Sequence, residues 1–234
     1  ENLAEKYNIS RKDQDLFAYN SQMKASKAQA EGRFDKEIVP VEIPQGKKNP
    51  IIFSKDEFIK KNTNLEVLAK LRTAFKKNGT ITAGNASGLN DGAAAILLAS
   101  EKAVSKNNLK AMVKIVSSAV VGVEPRIMGI GPVEASNKAL EKAGLTMDDM
   151  DIIELNEAFS AQTLACIREW GLDDNDSRIN PNGGAIAIGH PLGASGTRIL
   201  QTAAIELQKQ NKKYALVTMC VGVGQGYSTI IKNV

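Results

Sequence analysis

The sequence predicts an α/β fold of layered helices around a sheet with at least some parallel pairing. Two observations carry this expectation. From about residue 111 onward, short apolar runs alternate with helical patterns of ten to fifteen residues. Polar, glycine-rich loops follow several of those runs, at strand ends and helix starts, where α/β sheets bind ligands. With 43% hydrophobic but only 5% aromatic residues, the core must rest on Ala, Val, Ile and Leu packing. The 234 residues suit one large domain or two small ones.

Ser10-Arg-Lys-Asp13 reads as a capping-box start, with Leu16, Tyr19 and Met23 at helical spacing and Gly32 as the stop. Residues 38–43 alternate apolar and polar, and Pro40 and Pro44 make them an edge strand or extended loop. Residues 44–64, rich in Pro, Lys and Asn without a period, predict an irregular excursion. Leu65, Leu68, Leu71 and Phe75 predict a short amphipathic helix over 65–75. Residues 80–92 form a polar, glycine-rich loop, 93–99 a short buried strand, and Ser100 caps a helix reaching about Asn107. Further strands are predicted at 113–123, 152–155, 214–220 and 227–232. Helices fill 132–143, 157–170 and 193–209, the first two ended by Gly144 and Gly171.

Composition removes several function classes. No run approaches the eighteen or so apolar residues of a membrane helix, and no secretory leader is visible. The two cysteines make no disulfide framework and point to a reducing compartment such as the cytoplasm. One histidine and two distant cysteines make no metal site of usual spacing. The formal charge is +4, with 16 basic against 11 acidic residues in 1–88 and 14 against 15 in 89–234. That basic excess either steers an anionic ligand or is a solvated lysine surface. No aromatics interleave with the charges, so nucleic-acid binding is not expected. No Gly-x-Gly-x-x-Gly opens a helix after a strand, which excludes a dinucleotide-binding reading.

Three loops carry candidate chemistry. Asn156 follows the 152–155 strand and either caps the next helix or presents an amide that fixes a water or an oxyanion. His190, the only histidine, lies in residues 180–196 with five glycines and two prolines. It sits just before a helix N-terminus, whose positive end disfavours imidazolium and suits a neutral general base. Cys220 ends a predicted strand beside Gly222, Gly224 and Gly226. It is either an inert small hydrophobe or a proton shuttle next to bare backbone amides, given a free-thiol pKa of about 8.5. Cys166, between Ala165 and Ile167 within a predicted helix, reads as core.

Gly84-Asn-Ala-Ser-Gly-Leu-Asn-Asp-Gly92, Asn156-Glu-Ala-Phe159, Gly189-His-Pro-Leu-Gly-Ala-Ser-Gly196 and Cys220-x-Gly-x-Gly-x-Gly226 together resemble the thiolases, in order and across the whole chain. Within that family they resemble the acetyl-CoA acetyltransferase branch. The resemblance implies a second βαβαβ-type half with part of a loop domain that binds coenzyme A. Residues 1–88 would be the remainder of that loop domain, 89–110 the closing strand and helix of the first half, and 111–234 the complete C-terminal domain.

It also implies residue roles. Asn156, through a water, and His190 would form an oxyanion hole for the thioester carbonyl. His190 would also activate a nucleophilic cysteine. Cys220 would be the acid/base cysteine, and the Gly222 amide part of a second oxyanion hole. Ser87 would contact the pantetheine arm, within a coenzyme A contact set of Phe75, Ala83, Gly84, Ser87, Leu89, Ala158 and Phe159. Coenzyme A and acyl-CoA enter as substrates, with no cofactor, and the complete protein is expected to be a homodimer or homotetramer.

The family's nucleophilic cysteine belongs to a motif upstream of Glu1, so the chain alone is expected to be inactive. Asp56-Glu-Phe-Ile-Lys60 departs from the His-Pro-Arg common in relatives. Lys60 offers a point charge where an arginine would offer a plane to stack on adenine. The expected reaction of the complete protein is condensation of two acetyl-CoA to acetoacetyl-CoA and CoA. A degradative 3-ketoacyl-CoA thiolase, or a non-catalytic CoA-binding fragment, is the alternative.

Overall fold

The computed structural model describes residues 1–234. The chain opens with α1 (Asn2–Lys6) and α2 (Arg11–Ala30). The predicted capping box at Ser10 and Asp13 closes the start of α2, and Gly32 follows its end at φ +68°. The buried face of α2 differs from the expected apolar one. Ala18, Ala25 and Ala28 are buried beside Gln14, Asp15, Ser21 and Gln22, while Leu16 is exposed. Polar residues win that face because they have partners in the loops it crosses: Gln22 Nε2 donates to the Ile186 carbonyl at 3.1 Å, and its Oε1 accepts from Lys60 N at 2.8 Å.

β1 (Val41–Gln45) and β2 (Lys48–Phe53) pair as an exposed antiparallel hairpin. The expected irregular excursion therefore begins with a strand. Its alternation is hidden because neither face of the hairpin is buried, so period-2 patterning is not required. α3 (Leu65–Ala69) is shorter than the expected 65–75 helix. Beyond Lys70 the backbone leaves the helix, with Ala74 N bonded to Ile81 O and Thr73 bridged to Thr82. Residues 93–99, expected as a buried strand, join no ladder and are exposed, Leu97 by 79%. No strand of this chain lies beside them to satisfy their backbone groups. α4 (Glu101–Lys106) follows, capped by Ser100 as expected.

The rest is a layered domain. β3 (Val113–Gly122), α5 (Gly131–Ala143), β4 (Ile152–Leu155), α6 (Ser160–Glu169), α7 (Ala185–Ile188), α8 (Ser195–Gln210), β5 (Tyr214–Val221) and β6 (Gln225–Asn233) follow in order. The sheet order is β3-β6-β5-β4, with β4 and β5 parallel and the other pairs antiparallel. Alternation sorts the strand side chains to two faces. Ile153, Leu155, Leu216 and Ile230 pack with Ala139 and Leu140 of α5 and Cys166 and Ile167 of α6. Ile152, Ala215, Val217 and Ile231 pack with Ile199, Ala203 and Leu207 of α8. The result is a helix–sheet–helix sandwich whose strand ends carry the loops of interest. No helix is long and apolar enough to cross a membrane.

One core position breaks the apolar rule. Glu154 is buried on the α8 side of β4 with Oε1 unpartnered, and burial raises its carboxyl pKa to about 8, against the pull of Arg198. A folded value above the unfolded one means that its contribution is full below the ordinary Glu range and is lost as pH rises through about 8. Glu154→Gln is expected to flatten the pH dependence of stability between the ordinary Glu range and about 8, and to stabilise the protein near neutral pH, where the folded wild type holds a proton that the unfolded chain has released. Urea unfolding of both proteins at acidic pH and at neutral pH measures the difference.

Candidate active site

The site is assembled at one end of the sheet. Asn156 extends β4, its N–H bonded to Thr218 O at 3.0 Å, so the strand itself fixes this residue. It does not cap α6, whose N-cap position is Phe159 with no side-chain cap bond. Its buried amide instead faces the imidazole, with Nδ2 3.3 Å from His190 Nε2, and Oδ1 has no partner within the protein. Of the two readings of Asn156, the helix cap is not what the structure shows.

The loop that carries His190 is held by a buried carboxylate. Glu157 accepts from Ser21 Oγ at 2.7 Å, Asn180 Nδ2 at 2.8 Å and Ile186 N at 3.2 Å. Asn180 also pairs with the Leu155 backbone, its Oδ1 accepting from N at 2.9 Å and its Nδ2 donating to O at 2.8 Å. Glycine is required where this loop meets its supports: a Cβ on Gly183 would lie 2.6 Å from Ser21 O, and one on Gly184 2.3 Å from Glu157 Cδ. Sequence reading assigned no role to Glu157, Ser21 or Asn180. An acidic residue directly after a strand was the only available signal, and exposed loop acids produce the same pattern.

His190 is 8% exposed, its N–H bonded to Gly88 O at 3.0 Å and its Nδ1 2.6 Å from Ser195 Oγ. Its pKa is lowered, by burial first and then by the Arg198 guanidinium. That direction favours a neutral imidazole, with desolvation as its first cause; α8 begins at Ser195.

β4 and β5 are in parallel register with Leu155 opposite Thr218, so Cys220 lies at the same sheet end as Asn156. Cys220 is 6% exposed and opposite Gly226 of β6. Burial raises its thiol to about 11, so the expected ordinary thiol value is corrected and the group rests protonated at neutral pH. Gly222, in the exposed turn that follows, has open space around its α-carbon. Cys166, as expected, is core: fully buried against Gly129 O at 3.3 Å, its thiol pushed up by burial.

The residues assigned to coenzyme A form one strip in part. Ser87 N and Oγ both donate to the Ala158 carbonyl, at 3.0 and 3.1 Å, and Ala86 bridges Phe159. Phe75 meets Phe159 edge-on with ring centroids 5.9 Å apart. Gly84 lies against Leu68 and Leu71 side chains, and Ala83 and Leu89 are exposed on the same loop. The Lys60 ammonium lies over the Phe58 ring at 5.2 Å, and Phe58 packs on Gly88. No group of three or more His, Cys, Asp or Glu is arranged to hold a metal ion.

Residues 1–102 match the family described as "Thiolase, N-terminal domain", and residues 109–233 match "Thiolase, C-terminal domain". The chain is 58% identical over its whole length to the beta-ketoadipyl-CoA thiolase of Acinetobacter baylyi, and 52% identical to the acetyl-CoA acetyltransferase of Chromobacterium violaceum. It covers 58% and 59% of those two proteins. The crystal structure of the Bacillus anthracis acetyl-CoA acetyltransferase superposes over the entire chain with a TM-score of 0.96 at 42% identity, and 58% of that structure is covered. Human mitochondrial 3-ketoacyl-CoA thiolase in complex with CoA gives 0.94 at 47% identity, with 57% of that structure covered. The chain thus spans less than two thirds of the length of these relatives.

Proposed function

This chain belongs to the thiolase family, and on that premise we propose that it supplies the oxyanion-binding and acid/base groups of a coenzyme A-dependent acyltransferase. In this reading residues 1–88 belong to a CoA-binding loop domain, 89–110 complete a first half, and 111–234 are the C-terminal domain. The nucleophilic cysteine comes from a part of the protein that precedes this chain. The carrying observation is the buried pairing of Asn156 and His190 at the sheet end that also holds Cys220.

The proton balance fits a resting thiol at Cys220. His190 takes the proton of the nucleophilic cysteine, whose thiolate attacks the acetyl-CoA carbonyl. The C–S bond to coenzyme A breaks, and Cys220 protonates the departing CoA thiolate. The Cys220 thiolate left behind, with a conjugate acid near 11, is a strong base for the C2 proton of a second acetyl-CoA. The resulting enolate attacks the acyl-cysteine, releasing that thiolate to recover the proton from His190. Acetoacetyl-CoA and CoA are the products, and covalent catalysis has split one hard step into two. The Asn156–His190 pair would stabilise oxyanion charge, and the strip from Ser87 to Phe159 would receive the pantetheine arm.

A second substrate reading rests on the relative at 58% identity, which is named for beta-ketoadipyl-CoA. One experiment addresses both readings. The intact protein is assayed in the thiolysis direction with acetoacetyl-CoA, longer 3-ketoacyl-CoA and beta-ketoadipyl-CoA. The highest kcat/KM on acetoacetyl-CoA supports the first reading, and the highest on beta-ketoadipyl-CoA the second. The 234-residue chain alone is expected to turn over none of them, and acyl label appearing on Cys166 or Cys220 during turnover would refute the assignment of the nucleophile.

A further inference from the structure

His190 can do chemistry through only one ring nitrogen, and Ser195 decides which. Ser195 is fully buried at the first residue of α8, with Oγ 2.6 Å from His190 Nδ1 and 3.1 Å from the Pro191 carbonyl oxygen. The hydroxyl has one proton and therefore two possible arrangements. It can donate to Pro191 O and accept from Nδ1–H, or donate to Nδ1 and leave the ring proton on Nε2. At the other side of the ring, Nε2 faces the Asn156 amide N–H donors at 3.3 Å. A protonated Nε2 would set donor against donor there, in a pocket where both side chains are buried. The first arrangement pairs both ring nitrogens and the hydroxyl: Asn156 Nδ2–H to Nε2, Nδ1–H to Ser195 Oγ, and Ser195 Oγ–H to Pro191 O.

We propose that Ser195 is a positioning residue that holds the proton of neutral His190 on Nδ1 and so reserves Nε2 for proton exchange and oxyanion contact. This deepens the proposed acyltransfer role and rests on it for the catalytic consequence alone. On the Nδ1 side nothing has to rearrange when Nε2 gains a proton; only the Asn156 amide, which then faces a donor, must turn or yield to an oxyanion. Nδ1–H already donates to Ser195 Oγ, and the hydroxyl already donates to Pro191 O, whose oxygen also accepts from Ala194 N at 2.8 Å and Ser195 N at 3.0 Å. A preoriented acceptor at Nδ1 stabilises the imidazolium that forms, the same logic by which an acceptor orients a catalytic histidine elsewhere. The opposite arrangement, with Nε2–H pointing at Asn156 Oδ1, requires the amide turned over.

The test is ¹⁵N NMR of the intact protein labelled at histidine, with His190→Gln assigning the ring signals. The neutral ring is expected to show a protonated Nδ1 and an unprotonated Nε2. Ser195→Ala should move the population toward protonated Nε2 and lower kcat about tenfold to a hundredfold, the span of one charge-assisted hydrogen bond, with KM little changed. Ser195→Thr, which keeps the hydroxyl, should restore the wild-type tautomer and most of the rate. A wild-type ring protonated on Nε2, or an unchanged tautomer in Ser195→Ala, overturns the proposal even if kcat falls. Should Ser195→Ala fail to fold, the wild-type tautomer decides alone. A tautomer shift in a protein whose turnover is indifferent to His190 supports this role of Ser195 and refutes the proposed function.

Discussion

Cys220→Ala in the intact protein is expected to slow condensation roughly 10³-fold or more, within the range that a positioned acid/base group supplies. Acylation should be affected less. The leaving CoA thiolate can depart without a proton donor, whereas C2 of the second acetyl-CoA cannot lose its proton without a base. A single-turnover experiment with labelled acetyl-CoA should therefore show the acyl-enzyme still forming while acetoacetyl-CoA does not follow. Serine at this position should fail as well, because a hydroxyl gives up its proton far less readily than a thiol. Coenzyme A binding should be unchanged, since the strip around Ser87 and Phe159 is tied to the β4–α6 turn and not to β5. The thiol's upward shift adds a pH signature. Cys220 rests protonated, its charged form disfavoured by burial, so the rate should not climb with a thiolate titration between about pH 7 and 9. Condensation surviving in Cys220→Ala would remove this residue from the mechanism.

The regular half of the fold was legible because its strands and helices bury opposite faces in one chain. β4 and the helix stops at Gly144 and Gly171, both with φ near +65 to +71°, fall where periodicity and turn chemistry place them. The first hundred residues were less so, for physical reasons that differ by element. The β1–β2 hairpin is exposed on both faces, which leaves no alternation to read. α2 buries amides, a carboxylate and a serine through specific hydrogen bonds, which hydrophobic periodicity does not register. Residues 93–99 have the composition of a buried strand, and within this chain no strand lies beside them to form a ladder.

The site shows the same division. Residues in the four motifs were identifiable by type, and the pairing of Asn156 with His190 gives two of them a shared geometry. Their supports were not, since Ser21 lies 136 residues from Glu157 and 163 from Gly184 in sequence, and only folding brings them together. The cause of the lowered His190 pKa likewise needed the structure. The helix end was visible in sequence, but burial and Arg198 set the direction.

Glu157→Ala is expected to destabilise the protein on the order of 3–5 kcal/mol, at about 1–3 kcal/mol for each buried donor left without its acceptor. Three donors lose their acceptor at once: the Ser21 hydroxyl, the Asn180 amide and the Ile186 N–H. None has water to fall back on, because Ser21, Asn180 and Ile186 are all buried. The carboxylate also fills the space against Gly184, so alanine leaves a void where 2.3 Å once separated Glu157 Cδ from a Cβ that glycine lacks. Glu157→Gln separates the two contributions. It keeps the shape and one acceptor oxygen, which can retain the Ser21 hydroxyl and Ile186 N–H, but turns the second into a donor that faces Asn180 Nδ2; the loss should be intermediate. Denaturant unfolding monitored at Trp170 on the α6 end reports both values. The functional consequence follows from position. Glu157 joins α2, the β4–α6 turn and the loop ending in His190, so freeing that loop lets the imidazole drift from Asn156 without altering either residue. Turnover of Glu157→Gln, assayed under conditions where it is fully folded, should fall through kcat more than through KM, because misplacement by about an ångström can cost on the order of 10²-fold in rate. If the glutamine variant is as stable and as fast as the wild type, the carboxylate is not what aligns this site.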